Sequence, residues 1–401
     1  MKKLLGLFLV LAMSWPVSAA IVDNVEAIGR IDVVAAGGNH GLDLKGSNTS
    51  SRVLAGLSAN LTEDVKANVL FDYVSGWNGD PMGNVISSDD ASSSGYLQQI
   101  FLVNANVVLS NLFDRFELTL GRQFYGDDDS TVLYFGPKSG YLAAFSGETI
   151  SLEAAKLTYS DDVKSVTLLA GKLFSSMRND LPGDLFGVDA RFNVTSNVKA
   201  QVYGYAFRDI GILDIARDPQ KYEGFYGAKL SYAPEAFTAS VEAARGFAGK
   251  RLIEEAHDNP WLVKLDASLN MDAFTPRAAF FYQKGTLTDF GAYAPGLVIG
   301  QYWATMGNTS FILDNARIFN VGVDYNLDKW TFALDGFAFQ DRTAQDSATW
   351  EADLTANYQH NENVNLFAGI GYAKIGGNQR LSRAVAGPDA VVYQIGTTIN
   401  F

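Results

Sequence analysis

Residues 388–401 read P-D-A-V-V-Y-Q-I-G-T-T-I-N-F. Every second residue of this stretch belongs to a largely apolar set, which is Val391, Tyr393, Ile395, Thr397, Ile399 and Phe401. The positions between them are mostly polar. A period of two predicts a β-strand with one apolar and one polar face. We therefore expect the preceding residues to form more strands of this kind, with an export signal in front of them.

The first twenty residues have the pattern of an export signal. Lys2 and Lys3 precede an apolar run from Leu4 to Met13, and small residues follow up to Ala20. This order is typical of a cleaved secretory signal peptide. We expect a signal peptide over residues 1–20 and one domain over residues 21–401. The chain contains no cysteine, so disulfides, thiolate metal sites and cysteine nucleophiles are excluded.

Charge and hydropathy narrow the class of protein further. The formal net charge is −13, so the chain lacks the excess of positive charge that a nucleic-acid-binding protein uses. No apolar run after the signal approaches the roughly 18 residues of a membrane helix. The chain has 38 glycines, 18 tyrosines and 26 phenylalanines. This composition suits a membrane barrel, whose alternating strands keep the mean hydropathy near zero.

The connections between strand-like segments alternate in length. About eighteen segments have the roughly ten-residue length of a tilted membrane strand. Longer connections alternate with short polar turns such as residues 160–162 and 326–329. The long connections include residues 37–51, 125–149 and 285–315. Alternating short and long connections predict an up-and-down antiparallel barrel, with the short turns in the periplasm.

Three features favour a membrane barrel over a soluble all-β protein. Outward faces begin or end with aromatic residues, as at a membrane interface. The other face carries charges at mid-strand, which a packed core rarely tolerates. The first and last strands can pair and close the barrel. We predict a transmembrane all-β barrel of about eighteen strands. A count of sixteen is left open, because the alternation breaks near residues 152–154.

An eighteen-stranded barrel encloses a wide lumen that loops can narrow. The polar faces place basic residues toward the lumen from the first thirteen strands and acidic residues from the next three. The basic set is Arg30, Arg52, Lys66, Arg115, Lys156, Arg191, Lys199, Lys229, Lys264 and Arg277. The acidic set is Asp324, Asp335, Glu351 and Asp353. Such walls would impose a transverse field on solutes. Alternatively, the charges pair with neighbours, as Asp189 with Arg191 or Lys264 with Asp266.

Two long loops have the content to fold inward, because apolar residues in a long loop argue against disorder. Residues 125–149 and 285–315 are therefore expected to form a constriction. Its candidate residues are Asp127, Asp128, Asp129, Tyr134, Tyr302 and Trp303. The acidic run could bind a divalent cation or lie at the lipopolysaccharide surface. More often such a run is a solvated loop tip.

The stretch over residues 96–123 resembles a hairpin of alginate-export-type outer-membrane channels. It has Asn111-Leu112-Phe113 at a turn and then Glu117-Leu118-Thr119-Leu120-Gly121-Arg122-Gln123. The resemblance implies an eighteen-stranded barrel and adds Arg122 as a candidate contributor to the pore or its constriction. Because strict alternation turns Arg122 outward, this role requires a bulge or a position above the membrane. The acidic sector departs from an arginine-rich pore and favours small ions, sugars or carboxylates over alginate.

The sequence thus predicts an outer-membrane porin for the passive diffusion of small hydrophilic solutes or ions, with anionic sugars or carboxylates among the candidates. The alternative is a plugged barrel with a structural or surface-binding role, which would lack conductance. Catalysis is not expected, because His257 lies near Glu255 and Asp258 without any nucleophile turn. We expect no cofactor and no metal.

The expected partners follow from the same interpretation. They are outer-membrane lipid, lipopolysaccharide, small solutes and the barrel-assembly machinery, while nucleic acid is excluded. The terminal strand ending in Phe401 resembles the strand that outer-membrane proteins present to that machinery. A homo-oligomer is left open.

Overall fold

The computed structural model describes residues 23–40, 47–76, 100–138, 149–175, 183–208, 222–247, 260–285, 287, 291–302, 315–341, 348–376 and 389–401. The expected signal peptide, residues 1–20, lies outside the described residues. Within the described residues, no helix is long and apolar enough to cross a membrane.

The described residues form eighteen β-strands. They are β1 (Asp23–His40), β2 (Ser47–Thr62), β3 (Val65–Gly76), β4 (Phe101–Leu112), β5 (Phe116–Gln123), β6 (Ile150–Ser160), β7 (Lys164–Ser175), β8 (Asp184–Thr195), β9 (Val198–Arg208), β10 (Tyr222–Tyr232), β11 (Phe237–Phe247), β12 (Trp261–Leu269), β13 (Phe274–Lys284), β14 (Ala316–Leu327), β15 (Trp330–Asp341), β16 (Thr349–Asn361), β17 (Val364–Lys374) and β18 (Asp389–Asn400).

The strands form one closed antiparallel barrel. Each strand pairs with its neighbours in sequence, and β1 pairs with β18 from Arg30 opposite Asn400 to His40 opposite Ala390. Closure leaves no sheet edge, so every strand finds its backbone partners within the sheet. The prediction of an all-β up-and-down barrel is confirmed, and its strand count is eighteen.

Two local predictions are corrected by the strand pairing. The first long connection is shorter than residues 37–51, because β1 and β2 stay paired as far as Gly37 opposite Ser47. The break near residues 152–154 is no bulge, since β6 pairs with β5 and β7 without a register shift. Glu153 is a charged residue on the outward face, so it breaks the hydropathy pattern without breaking the strand.

Aspartate and asparagine close several short turns with left-handed backbone. Asn111 at the end of β4 and Asp114 in the turn that follows have φ of 55° and 66°, and Asp272 and Asp328 have φ of 49° and 52° in later turns. These residue types tolerate that region better than others. The barrel end with these turns is called the turn end below, and the opposite end is called the loop end.

The outer surface carries an apolar belt with aromatic residues at both ends. Mid-strand residues such as Val321 and Ile395 are 65% and 61% exposed. Near the turn end, Trp330 lies 4.7 Å from Tyr358 between ring centroids. Near the loop end, Trp261 and Tyr282 are equally close at 4.7 Å. So large an exposed apolar surface with aromatic borders fits a bilayer and not water.

Candidate pore and its inner loops

The first inner loop, residues 124–138, follows β5 and folds into the barrel. Tyr125 and Phe135 exchange backbone hydrogen bonds of 2.8 and 2.7 Å, which close the loop on itself. Gly126 has φ of +91°, and a Cβ there would lie 2.6 Å from the Leu133 carbonyl oxygen. Glycine is required at that position by both conformation and space. Leu133 and Phe135 are fully buried.

This loop spans the lumen between opposite walls. On one side, Arg30 of β1 donates to the Lys138 carbonyl oxygen. On the other side, Thr131 donates to Glu242 of β11 at 2.7 Å, and Tyr203 of β9 donates to the same carboxylate at 2.7 Å. A segment bound to both β1 and β11 must cross the interior of the barrel.

The acidic run of the loop meets the basic wall. Asp127 forms an ion pair with Arg191 of β8 at 2.8 Å, and Asp129 lies 3.9 Å from Lys229 of β10. Asp128 is exposed. Two of the three carboxylates therefore bind wall cations, and the run is not a wholly solvated tip. In the described part of the chain, no group of three or more His, Asp or Glu side chains could hold a metal ion.

Two tyrosines are part of the first inner loop. The Tyr125 hydroxyl lies 2.9 Å from that of Tyr205 in β9, and burial raises the pKa of Tyr125 to about 12. Tyr134, a predicted constriction residue, donates to the Pro137 carbonyl oxygen at 2.8 Å. Burial also raises the pKa of Tyr134. Both phenols are therefore protonated at neutral pH and act as hydrogen-bonding groups.

The second inner loop comprises the described residues 287 and 291–302, and it contains a π-helical turn over Gly296–Tyr302. Leu297 N–H donates to Asp353 of β16 at 2.8 Å. Val298 and Ile299 N–H donate to Glu351 of β16 at 2.7 and 3.0 Å. Successive amides that converge on carboxylates form an anion-binding nest.

Glycines in the loop and the wall allow this close approach. Gly296 has φ of +79°, and a Cβ there would lie 2.5 Å from Glu351 Oε1. On β17, a Cβ at Gly371 would lie 2.9 Å from Val298 Cγ2, and one at Gly369 would lie 3.0 Å from Leu297 Cδ1. The absence of these side chains makes room for the loop on the inner wall.

The two inner loops also contact each other. Ala292 N–H donates to the Ser130 carbonyl oxygen at 2.8 Å. Tyr293 packs on Phe281 with 4.8 Å between ring centroids, and Lys264 Nζ lies 5.1 Å from the Tyr293 ring. Burial raises the pKa of Tyr293. Together the loops form one partition across the lumen, fixed to β1, β9, β11 and β16.

Most of the predicted basic wall residues face inward, and their charges are paired. Arg52 is fully buried and donates to Asp72 at 2.8 Å. Arg30 donates to Asp32 at 2.8 Å. The remaining contacts are Lys156 to Glu117 at 3.7 Å, Arg191 to Asp189 at 3.3 Å and Lys264 to Asp266 at 3.3 Å. Lys66 and Lys199 are exposed near the turn end and form no ion pair within the described residues.

The predicted acidic wall is present but its carboxylates are occupied. Arg277 lies 3.1 Å from Asp324 and 2.6 Å from Asp335. Glu351 and Asp353 are buried beneath the amides of the second inner loop. The alternative in which charges pair with neighbours therefore describes both sectors of the wall, and the predicted pairs Asp189–Arg191 and Lys264–Asp266 form in the basic sector.

Two predicted pore residues lie elsewhere. Arg115 is in the exposed turn between β4 and β5, where it donates to the Tyr159 hydroxyl at 3.1 Å. Arg122 is on the outer face, paired with Glu153 and 3.5 Å from the centre of the Phe174 ring. Strict alternation is retained at Arg122, so its expected role in the pore is corrected. Trp303 and His257 lie outside the described residues, as does the side chain of Tyr302.

Sequence reasoning missed an aromatic strip on the inner wall. Tyr203, Tyr205 and Phe207 alternate along β9 and face inward, with Phe225 of β10 beside them. The strip could have been predicted, because the polar residues Lys199 and Gln201 show which alternate residues of β9 face inward. Glu242, which receives two hydrogen bonds at the first inner loop, was also missed.

A space of about 320 Å³ adjoins the inner wall from β10 to β14. Its charged lining residues are Lys229, Asp266 and Arg277, with serines and Asn320 between them.

The fold and the inner loops together indicate the class of protein. An eighteen-stranded membrane barrel with a polar inner wall and loops folded into its lumen is typical of outer-membrane channels.

Comparison with known families agrees with this class. The Gram-negative porin family matches residues 6–378, and the chain belongs to this family. It is therefore an outer-membrane channel protein. A sequence search of curated proteins gives no significant match.

Solved structures show the same fold. OccAB1 of Acinetobacter baumannii has a TM-score of 0.65 at 11% identity, covering 96% of this chain and 98% of that one. OccK3 (OpdO) of Pseudomonas aeruginosa has a TM-score of 0.61 at 10% identity, covering 95% and 96%. OpdK of Pseudomonas aeruginosa, crystallised with vanillate, has a TM-score of 0.63 at 10% identity, covering 95% and 100%. At these identities the similarity concerns the fold alone.

Proposed function

We propose that this porin is a passive diffusion channel for small hydrophilic solutes and ions, and that the two inner loops set its selectivity. The observation that carries the proposal is the charged junction between the first inner loop and the wall, which encloses a space of only about 30 Å³. Four carboxylates and two cations line it, namely Asp127, Asp129, Asp189, Glu242, Arg191 and Lys229. Paired charges still contribute to the electric field in the water beside them.

The balance of charge at this junction favours cations. Carboxylates outnumber cations four to two, and the exposed Asp128 adds another negative charge nearby. Rings of acidic side chains select cations in channels. The geometry of the described residues thus supports cations over the anionic sugars or carboxylates that are among the solutes expected from the sequence.

The reversal potential of the refolded mature chain in a planar bilayer, under a KCl gradient, tests this proposal. We expect discrete conductance steps and a reversal potential of the sign that K⁺ selectivity gives. The double variant D127N/D129N should move the reversal potential toward zero, because it removes two negative charges from the junction. The control is D272N, which changes a carboxylate in a turn outside the lumen. An anion-selective wild type would refute the selectivity.

Organic solutes can be ranked by liposome swelling. OpdK was crystallised with vanillate, so aromatic carboxylates are a suitable anionic test group beside neutral sugars and basic amino acids. For a cation-selective channel, we expect basic amino acids to enter faster than carboxylates of similar size. The reverse order would favour anionic sugars or carboxylates as the solutes.

A plugged barrel is the second candidate, and the buried apolar residues of the inner loops favour it. Phe135, Val298 and Ile299 are completely buried inside the barrel. If the loops seal the lumen, a correctly folded barrel should give no conductance steps. In that case a structural or surface-binding role would replace diffusion.

A further inference from the structure

The outward faces of β11, β12, β13 and β14 carry charge at only one end. Across their described residues, the outward side chains are apolar or aromatic except for three cations: Arg245, Lys284 and Arg317. All three lie at the loop end. No outward side chain in these four described strands is acidic, although the chain as a whole has a net charge of −13.

The strand register brings the three cations together around an aromatic pair. Arg245 is opposite Trp261, and Trp261 is opposite Lys284. Arg317 is opposite Tyr282, with its guanidinium 5.9 Å from the centre of that ring. Neighbouring strands are about 4.8 Å apart, so Arg245 and Lys284 originate about 10 Å from each other. We call these five residues the outer basic patch.

Below the patch, the same strands expose a continuous apolar surface. Phe319 and Val321 are 50% and 65% exposed, and Phe280 lies 4.9 Å from Phe319 between ring centroids. Trp and Tyr mark the depth at which a membrane's hydrocarbon meets its headgroups. The cations of the patch are therefore at headgroup level, directly above a surface that suits acyl chains.

We propose that the outer basic patch binds the phosphate groups of a phosphorylated glycolipid in the membrane leaflet at the loop end. Arginine and lysine bind phosphate oxygens through charge-assisted hydrogen bonds. Three cations exceed the charge of a single phosphodiester and suit a headgroup with two phosphates. Trp261 and Tyr282 give sugar rings an aromatic surface, and the acyl chains cover Phe319 and Val321. This proposal does not depend on the solute that the lumen carries.

Native mass spectrometry of the full mature barrel in detergent tests the proposal. The probes are bisphosphorylated lipid A, phosphatidylglycerol, phosphatidylethanolamine and inorganic phosphate. We expect retention of lipid A above the two phospholipids and no effect of inorganic phosphate on its own. In R245Q/R317Q, the apparent lipid A affinity should fall about tenfold, because the variant lacks two of the three cations that bind phosphate oxygens.

Lys164 supplies a matched control. It also faces outward, 5.5 Å from the centre of the Tyr159 ring, but at the turn end. K164Q should bind lipid A as the wild type does, and gel mobility without heating should show that every variant is folded. Unchanged affinity in R245Q/R317Q would overturn the proposal. Equal retention of phosphatidylglycerol would overturn the assignment to a glycolipid.

Discussion

Replacing Glu351 with glutamine is expected to release the second inner loop from the wall. The buried Glu351 carboxylate accepts the Val298 and Ile299 amides at 2.7 and 3.0 Å. Glutamine has nearly the same size but only one acceptor oxygen, and its NH2 group would face a backbone N–H. One buried amide then loses its acceptor oxygen and faces an NH2 group instead.

The size of this effect follows from hydrogen-bond energetics. An unsatisfied buried donor costs about 1–3 kcal/mol, and the repulsion between that N–H and the introduced NH2 group places this variant at the upper end of the range. We therefore expect the free energy of docking the second inner loop to become less favourable by about 3 kcal/mol. Since 1.4 kcal/mol is a factor of ten, the ratio of undocked to docked loop should rise about 100-fold.

Two measurements report this change. Hydrogen exchange at the amides of residues 297–299 should accelerate by about the same 100-fold if exchange follows local opening. Single-channel recordings should show larger or more frequent open steps, because the loop no longer narrows the lumen. The control is E117Q, which changes an inward carboxylate paired with Lys156 at 3.7 Å and distant from the loop.

Gly296→Ala tests the same contact from the loop side. Its Cβ would lie 2.5 Å from Glu351 Oε1, and the φ of +79° is strained for alanine. We expect the same loss of protection and the same change in conductance as in E351Q. If both variants keep wild-type exchange and wild-type conductance, the carboxylate does not hold the loop and the reasoning is wrong.

Two further predictions concern the wall and one turn. R52M should lower the free energy of unfolding of the barrel by about 3–5 kcal/mol in urea titrations, because it leaves Asp72 buried without its cation. The double variant R52M/D72L should recover part of this loss. An unchanged urea midpoint for R52M would contradict the argument. The hydrogen bond from Tyr159, then those from backbone N–H groups, lowers the pKa of Asp161 from 3.8 to about 2. Asp161 therefore contributes stability above about pH 4, which is lost as the pH falls toward 2; an NMR titration midpoint near 4 would contradict this.

Strand positions and faces could be predicted from the sequence because they depend on local periodicity. Side chains of a strand alternate strictly, so the polar phase of β12 places Lys264 and Asp266 on one inner face, where they form an ion pair at 3.3 Å. The same rule turns Arg122 outward, and the short resemblance that suggested a pore role gave no bulge to reverse it. Glu153 on the next strand is the partner that makes an outward arginine tolerable.

The contacts of the inner loops could not be predicted because they join residues distant in sequence. Thr131 and Glu242 are 111 positions apart, and Val298 and Glu351 are 53 apart. Cross-strand register cannot be read from one sequence, so no pattern shows which wall a loop meets. Composition indicated correctly that both loops contain apolar residues suited to burial, but it left the acidic run of the first loop without its partners.

The segregation of charge along the sequence has a structural explanation in the two loops. The first inner loop presents carboxylates, and it binds where the wall has Arg191 and Lys229. The second presents backbone amides, and it binds where the wall has Glu351 and Asp353. Each sector of the wall is thus complementary to the loop that covers it. In the proposed channel, the electric field that a solute meets therefore depends on the docked loops as well as on the bare wall.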